Sequence, residues 1–165
     1  MKKTIAAVVC AAAAALSVQA HAEDAKVLRM ACESTYAPFV FFDSETGKLK
    51  GFEIDLLEYV AKEMGRKLEV TNMGFDAIIP SMLTGITDVG ASAFTITPER
   101  AKRVLFSKPY YISGLSILVR AEDKDKIKSV KDIENCTICA QIGTSGSMRA
   151  AKVPGAKVRN FNTIN

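Results

Sequence analysis

Gly51-Phe52-Glu53-Ile54-Asp55-Leu56-Leu57-Glu58-Tyr59-Val60-Ala61-Lys62-Glu63-Met64-Gly65-Arg66-Lys67-Leu68-Glu69-Val70-Thr71 carries two periodicities back to back. Apolar residues at 52, 54, 56, 57, 60, 61 and 64 repeat at helical spacing. Gly65 then supplies a residue suited to a left-handed helix end. From 67 to 71 the chain alternates polar and apolar, as a strand does. Outward from this stretch the pattern repeats. Residues 27–31 (Val-Leu-Arg-Met-Ala) read as a first buried strand and 36–39 (Tyr-Ala-Pro-Phe) as a loop. Turn residues fill 43–47. Residues 75–83 are apolar at 75, 78, 79, 82 and 83 and read as a second amphipathic helix, with Pro80 a cost and a possible kink. Residues 88–93 read as a third strand. Thr97-Pro98-Glu99 then opens a helix with an N-cap, a proline at its first position and an early acid. Strand–helix alternation of this kind predicts an α/β fold with parallel pairing and right-handed crossovers.

Further along, 112–120 (Ile-Ser-Gly-Leu-Ser-Ile-Leu-Val-Arg) is β-prone and long enough to cross from one unit to another. The lysine- and aspartate-rich stretch 121–131 reads as a solvated helix and loop face. A second α/β unit begins with a strand at 137–141. A Gly-Ser loop at 143–147 then feeds a short helix at 148–151, and another strand follows at 157–161. Two strands and one helix rarely stand alone, so the second unit is expected to be incomplete.

The chain has 165 residues. Lys2 and Lys3 precede an apolar run of 14 residues, 5–18, too short to span a bilayer. Ala20-His21-Ala22 places small residues where a signal peptidase reads them. Cleavage is expected after Ala22. Cys10 follows Val9 within the apolar run, which argues against a lipid anchor. Processing reduces 22 basic residues to 20 against 18 acidic ones and removes His21, the sole histidine. A near-neutral mature chain gives no reason to expect a nucleic-acid partner. The loss of histidine removes the commonest general base. No triad is visible; Cys136-x-x-Cys139 invites a redox or metal reading, but there is no second pair and no histidine for a zinc site, so no cofactor, metal or catalytic residue is expected. Cys32, Cys136 and Cys139 remain. Cys136 and Cys139, three apart on a strand, would lie roughly 10 Å from each other, too far for a disulfide.

Ligands of open parallel sheets bind beyond the carboxyl ends of the strands. Three such ends stand out. Arg100 falls in the first turn of its helix, where a cation is unfavourable for the helix itself but free N–H groups favour an anion. Thr95 adds a hydroxyl. The pair suits a carboxylate, although a surface arginine has the same spacing. Gly143 to Ser147 offers a possible N–H nest, and equally an ordinary loop; the Gly-Lys-Ser/Thr ending of a P-loop is absent. Glu33 and Tyr36 offer a charge and an aromatic wall, or simply a solvated acid and a core tyrosine. An anion gripped from two sides would describe a clamp for a small carboxylate-bearing ligand.

Several blocks resemble the family 3 bacterial solute-binding proteins, periplasmic receptors for polar amino acids. Gly51-Phe52-Glu53-Ile54-Asp55-Leu56 with Val60-Ala61 and Met64 is similar to the family signature. Phe75-Asp76-Ala77-Ile78-Ile79-Pro80-Ser81-Met82, Thr95-Ile96-Thr97-Pro98-Glu99-Arg100 and Phe106-Ser107 with Pro109-Tyr110-Tyr111 resemble further blocks, so the likeness covers nearly all of 27–147. It implies a type II periplasmic-binding-protein-like fold, two α/β lobes closing about a hinge. The implied division is a signal peptide at 1–22, a first lobe at 23–111, a crossing hinge strand at 112–120 and a partial second lobe at 121–165. The resemblance implies that Arg100 and Thr95 hold the ligand's α-carboxylate, Ala93 offers its carbonyl to the α-ammonium, and Tyr36 and Phe75 sandwich the side chain. Ser145 would close on the carboxylate from the second lobe, and Glu33 would meet the side-chain end, favouring a cationic or amide ligand. Ala93 stands where relatives commonly carry glycine or serine. A second-lobe aspartate for the ammonium and the return strand would fall beyond Asn165, so a C-terminally truncated chain is expected. The implied partner is the membrane permease of an ABC uptake system, the implied state a periplasmic monomer without catalysis. A dehydratase of the same fold, or a ligand-binding module of a sensor kinase or a peptidoglycan-cleaving protein, is the alternative.

Overall fold

The computed structural model describes residues 26–164. The predicted signal peptide and its cleavage site lie outside the described residues. Among those described, no helix is long and apolar enough to cross a membrane.

Three parallel strands form the first sheet in the order β5-β1-β6. β1 (Val27–Cys32) pairs with β5 (Lys67–Asn72) from Val27↔Lys67 to Cys32↔Asn72, and with β6 (Val89–Gly90) through Met30 and Ala31. Met30, Ala31 and Cys32 are fully buried because β1 is central and covered on both faces. Helix α1 (Phe52–Glu63) lies against β5, and α2 (Phe75–Leu83) against β1 and β6. Ile54 joins Met30, Cys32, Val40 and Ala91 in one core cluster, while Ala31, Phe75 and Ile78 form another. Gly65 closes α1 by donating to the Lys62 carbonyl. Pro80 does not end α2, which runs through it to Leu83.

Four local expectations are corrected. Residues 36–39 are not all loop. Tyr36 belongs to β2 (Thr35–Tyr36), which joins β3 (Val40–Phe42) and β4 (Leu49–Lys50) in a small antiparallel sheet around the 43–47 turn. The third strand stops at Gly90 instead of 93. Ser92 spends its hydroxyl on the backbone of Glu33 and Ala93 turns to φ 51°, which takes the chain out of the sheet. Residues 112–120 form no strand among the described residues. Ile112 and Leu118 are more than nine-tenths exposed, and β-propensity expresses packing on a neighbouring pleated surface that this segment lacks here. Finally, the short helix begins earlier than residue 148. Thr144 caps it by accepting from the Ser147 N–H, giving helix α4 (Ser145–Ala150). Before it, α3 (Pro98–Ala101) has the predicted Thr97 cap and leading proline.

The lysine-rich stretch folds into two short 3-10 turns, Ala121–Asp123 and Val130–Ile133, the second closed by a Ser129–Asp132 capping box. β7 (Thr137–Gln141) and β8 (Lys157–Phe161) pair in parallel over their whole length. Cys32, Cys136 and Cys139 are all free thiols, and burial pushes the Cys32 thiol up to about 12.

Gly51 joins the small sheet to α1 at φ 129°, and a Cβ there would sit 2.3 Å from the Phe39 carbonyl oxygen. Gly51→Ala is therefore expected to destabilise the fold by about 2–3 kcal/mol. A urea titration checks this; a loss below about 0.5 kcal/mol, the usual range for an innocuous surface change, would show that the junction relaxes freely.

Candidate ligand-binding site

Beyond the carboxyl ends of β1 and β6, residues from the starts of α2, α3 and α4 come into contact. Arg100 reaches into this space from α3 and is buried, 6 % exposed. Its guanidinium carbon lies 5.4 Å from the Phe75 ring centre and 5.0 Å from that of Phe94. The two rings stack at 4.4 Å, so the cation meets their electron-rich faces within cation–π range. One terminal N–H donates to the Thr95 carbonyl at 2.8 Å and another to the Gly143 carbonyl at 2.9 Å. Among the described residues no carboxylate forms an ion pair with it. Burial lowers its pKa from the usual arginine value, partly countered by Tyr36; the group stays a cation.

Phe75 stands at the start of α2 and packs its ring 5.8 Å from that of Tyr36. The Tyr36 hydroxyl donates to Gln141 Oε1. Burial, then the neighbouring Glu33 charge, pushes that hydroxyl up to about 12. Gln141, 3 % exposed, donates in turn to the Asn162 carbonyl at 3.0 Å. The Thr95 and Ser145 hydroxyls are 3.0 Å apart. Gly143 presses on α2 so closely that a Cβ would meet Asp76 Cβ at 3.0 Å. The β7–α4 turn thus touches the first sheet's site at four points: Tyr36, Asp76, Thr95 and Arg100.

Glu33 is 5 % exposed and is not the solvated acid its position also allowed. The Thr35 hydroxyl donates to its Oε2 at 2.6 Å. It lines a cavity of about 440 Å³ with Asn72, Met73, Asp76, Asn162 and Thr163, a lining with two acids and no base. Ala93 occupies the turn leaving β6, its N–H donating to both oxygens of Glu53 at 2.9 and 3.1 Å. The structure therefore brings Tyr36, Phe75, Thr95, Arg100 and Ser145 into one connected group, with Ala93 on its rim and Glu33 in the adjoining cavity.

Sequence reasoning passed over four participants. Phe94 forms half of the aromatic cradle, Gln141 receives Tyr36, and Glu53 and Tyr110 share a hydrogen bond beneath Ala93. Only Glu53 carried a signal. It lies in helical phase with Leu57 and Ala61, on the buried side of α1, where an acid needs a reason. Burial raises its carboxyl pKa, while the bonds from Tyr110 and Ala93 pull it back down.

Residues 28–162 match the bacterial extracellular solute-binding proteins, family 3. A probable histidine-binding protein of Campylobacter jejuni is 33 % identical over 138 residues, 84 % of this chain and 53 % of that protein. An ancestral arginine-binding protein bound to arginine superposes with a TM-score of 0.79 at 41 % identity, covering 84 % of this chain and 62 % of that one. An ancestral amino acid-binding protein described as a precursor of cyclohexadienyl dehydratase gives 0.76 at 43 % identity, over 84 % and 62 %. The fold is accordingly the α/β type II periplasmic-binding-protein fold in partial two-lobe form. The chain belongs to the family 3 extracellular solute-binding proteins and spans about half the length of the curated relatives it matches.

Gly143→Ala, at φ 75° and against Asp76, is expected to hold the β7–α4 turn off α2. Amide exchange should quicken at 75–77 and 143–147, with a stability loss of about 1–3 kcal/mol. Unchanged exchange at both segments would mean that the two elements do not meet in solution.

Proposed function

We propose that this chain captures a polar α-amino acid outside the cytoplasm, as the receptor of an ABC uptake system. The observation that carries the reading is the buried Arg100 cation, cradled by Phe75 and Phe94 and, among the described residues, without a carboxylate partner. A cation kept from water without a counter-ion is unfavourable. A ligand carboxylate supplies one, and charge-assisted bonds to guanidinium are stronger than those to carbonyls. Thr95 and Ser145 add hydroxyls to the same carboxylate, Ala93 its carbonyl to the ammonium, and Tyr36 and Phe75 the walls for the side chain. The acid-lined cavity holding Glu33 favours a cationic or amide side chain, and the relatives described as histidine- and arginine-binding agree with that direction. Capture is without turnover; the neighbour described as a dehydratase precursor is itself described as a binding protein. A monomer, exported through a leader cleaved after Ala22 and delivering to a membrane permease, completes the reading.

Isothermal titration of the purified protein against the twenty amino acids tests it. Binding of none of them sinks the proposal. Arg100→Ala is expected to weaken binding by about 3–5 kcal/mol, roughly a hundred- to several-thousand-fold. Wild-type affinity in that variant would remove Arg100 from the site. Glu33→Gln should weaken lysine or arginine by about tenfold, the effect of losing a modest ionic contact, and leave glutamine nearly unchanged. Equal effects on all three would place Glu33 away from the ligand's side chain.

A further inference from the structure

Behind the Ser92-Ala93-Phe94 turn sits an acid that no cation among the described residues pairs with. Glu53, in the first turn of α1, is fully buried. Its carboxylate receives the Ala93 N–H on both oxygens and the Tyr110 hydroxyl on one. Both partners are neutral, and among the described residues no Lys or Arg forms an ion pair with it. Two residues further along the same loop, the Thr95 carbonyl accepts from Arg100. The loop therefore has an uncompensated anion behind residue 93 and an uncompensated cation beside residue 95. An α-amino acid carries the complementary pair of charges on adjacent groups. With its carboxylate on Arg100 and its ammonium turned to the Ala93 end, such a ligand would meet both charges. A buried charge acts through a medium of low effective dielectric, so its field extends past the peptide it is bonded to.

We infer that Glu53 is a positioning residue for the ligand's ammonium group, acting through Ala93, and that its charge makes the site select zwitterions over simple carboxylic acids. This rests on the amino-acid reading above. Ala93 takes a φ of 51° where its N–H meets Glu53, so on this inference Glu53 steadies the turn that presents the carbonyl and supplies the sign of the potential behind it.

The test separates those two contributions. Affinities for arginine, lysine, histidine and glutamine are compared with those for guanidinovalerate, aminocaproate, imidazolepropionate and glutaramate, which lack the α-ammonium. Glu53→Gln keeps an acceptor for Ala93 and Tyr110 but removes the charge. The amino acid bound best should weaken by about tenfold, its desamino partner by less than about threefold, so the ratio between them collapses. Glu53→Asp keeps the charge and should keep that ratio within about threefold of wild type. Equal weakening of both ligands in Glu53→Gln, or no change in either, overturns the inference. Where Glu53→Gln does not fold, Glu53→Asp decides, and a collapsed ratio there overturns it equally. These outcomes leave the amino-acid reading standing. If the wild-type protein binds none of the four amino acids, the cationic-or-amide reading falls and this inference falls with it.

Discussion

The guanidinium of Arg100 between the rings of Phe75 and Phe94 is the contact on which the site is built. It draws on three separate elements. Phe75 comes from the start of α2, Phe94 from the turn after β6, and the arginine from α3. Each of those starts is fixed by local chemistry. Thr97 as cap and Pro98 as first residue fix where α3 starts, and the Ser92 hydroxyl binds the β6 exit to the β1 exit through both backbone groups of Glu33. Arginine suits this place because a planar cation can lie on aromatic faces while its edge still offers several N–H donors. Lysine would keep the charge and lose both the stacking and the second bond.

Polar burial around the site is dense and paired. Glu33, Glu53, Ser92, Arg100 and Gln141 are all nearly or wholly buried. Each has hydrogen-bond partners, and no buried side-chain nitrogen or oxygen among the described residues lacks one. The partners are mostly backbone and hydroxyl groups, not opposite charges. Hydrogen bonds satisfy geometry but do not cancel net charge. Fixed, unneutralised charges in an interior are costly to stability, and proteins tolerate them where function requires a particular field. Glu33, Glu53 and Arg100 fit that pattern; the Arg29–Asp88 pair at the edge, two charges 2.8 Å apart, has the ordinary structural one.

Much of the fold was legible because its signals were local. The α1 stripe, the Thr97-Pro98 start and the β8 strand depend on spacing and capping chemistry, which a sequence displays directly. The 112–120 segment was misread because apolar and β-branched residues state a preference for a pleated neighbour and not the presence of one. The early end of the third strand escaped because the turn at Ala93 goes with contacts to Glu53, forty residues earlier, and with Ser92 bonding across the sheet. Arg100 and Thr95 stood out by their positions at a helix start, whereas Ser145 was singled out only by the family resemblance. Gln141 was missed, because a glutamine at a strand end has no meaning until Tyr36, more than a hundred residues away, turns its hydroxyl toward it.

The Gly143 carbonyl adds a last constraint. It accepts from the same guanidinium that a ligand carboxylate would engage, and it belongs to the turn that touches the first sheet's site. Arg100 has five N–H donors in a fixed fork, and two of them now serve Thr95 and Gly143. A carboxylate can join by using the remaining donors, or it can displace the Gly143 carbonyl. In the first case ligand and turn are held by one cation, and binding reinforces the approach of β7 and α4. In the second the turn must retreat before the ligand enters, and Thr95–Ser145 and Tyr36–Gln141 must part with it, since all three contacts leave the same short segment 141–145. Either way the ligand's affinity includes the free energy of placing that turn, because a ligand shifts such an equilibrium only by its differential contact with the two arrangements. On the proposed reading, capture strength would be set jointly by the cradle that holds Arg100 and by how firmly the β7–α4 turn already rests against it.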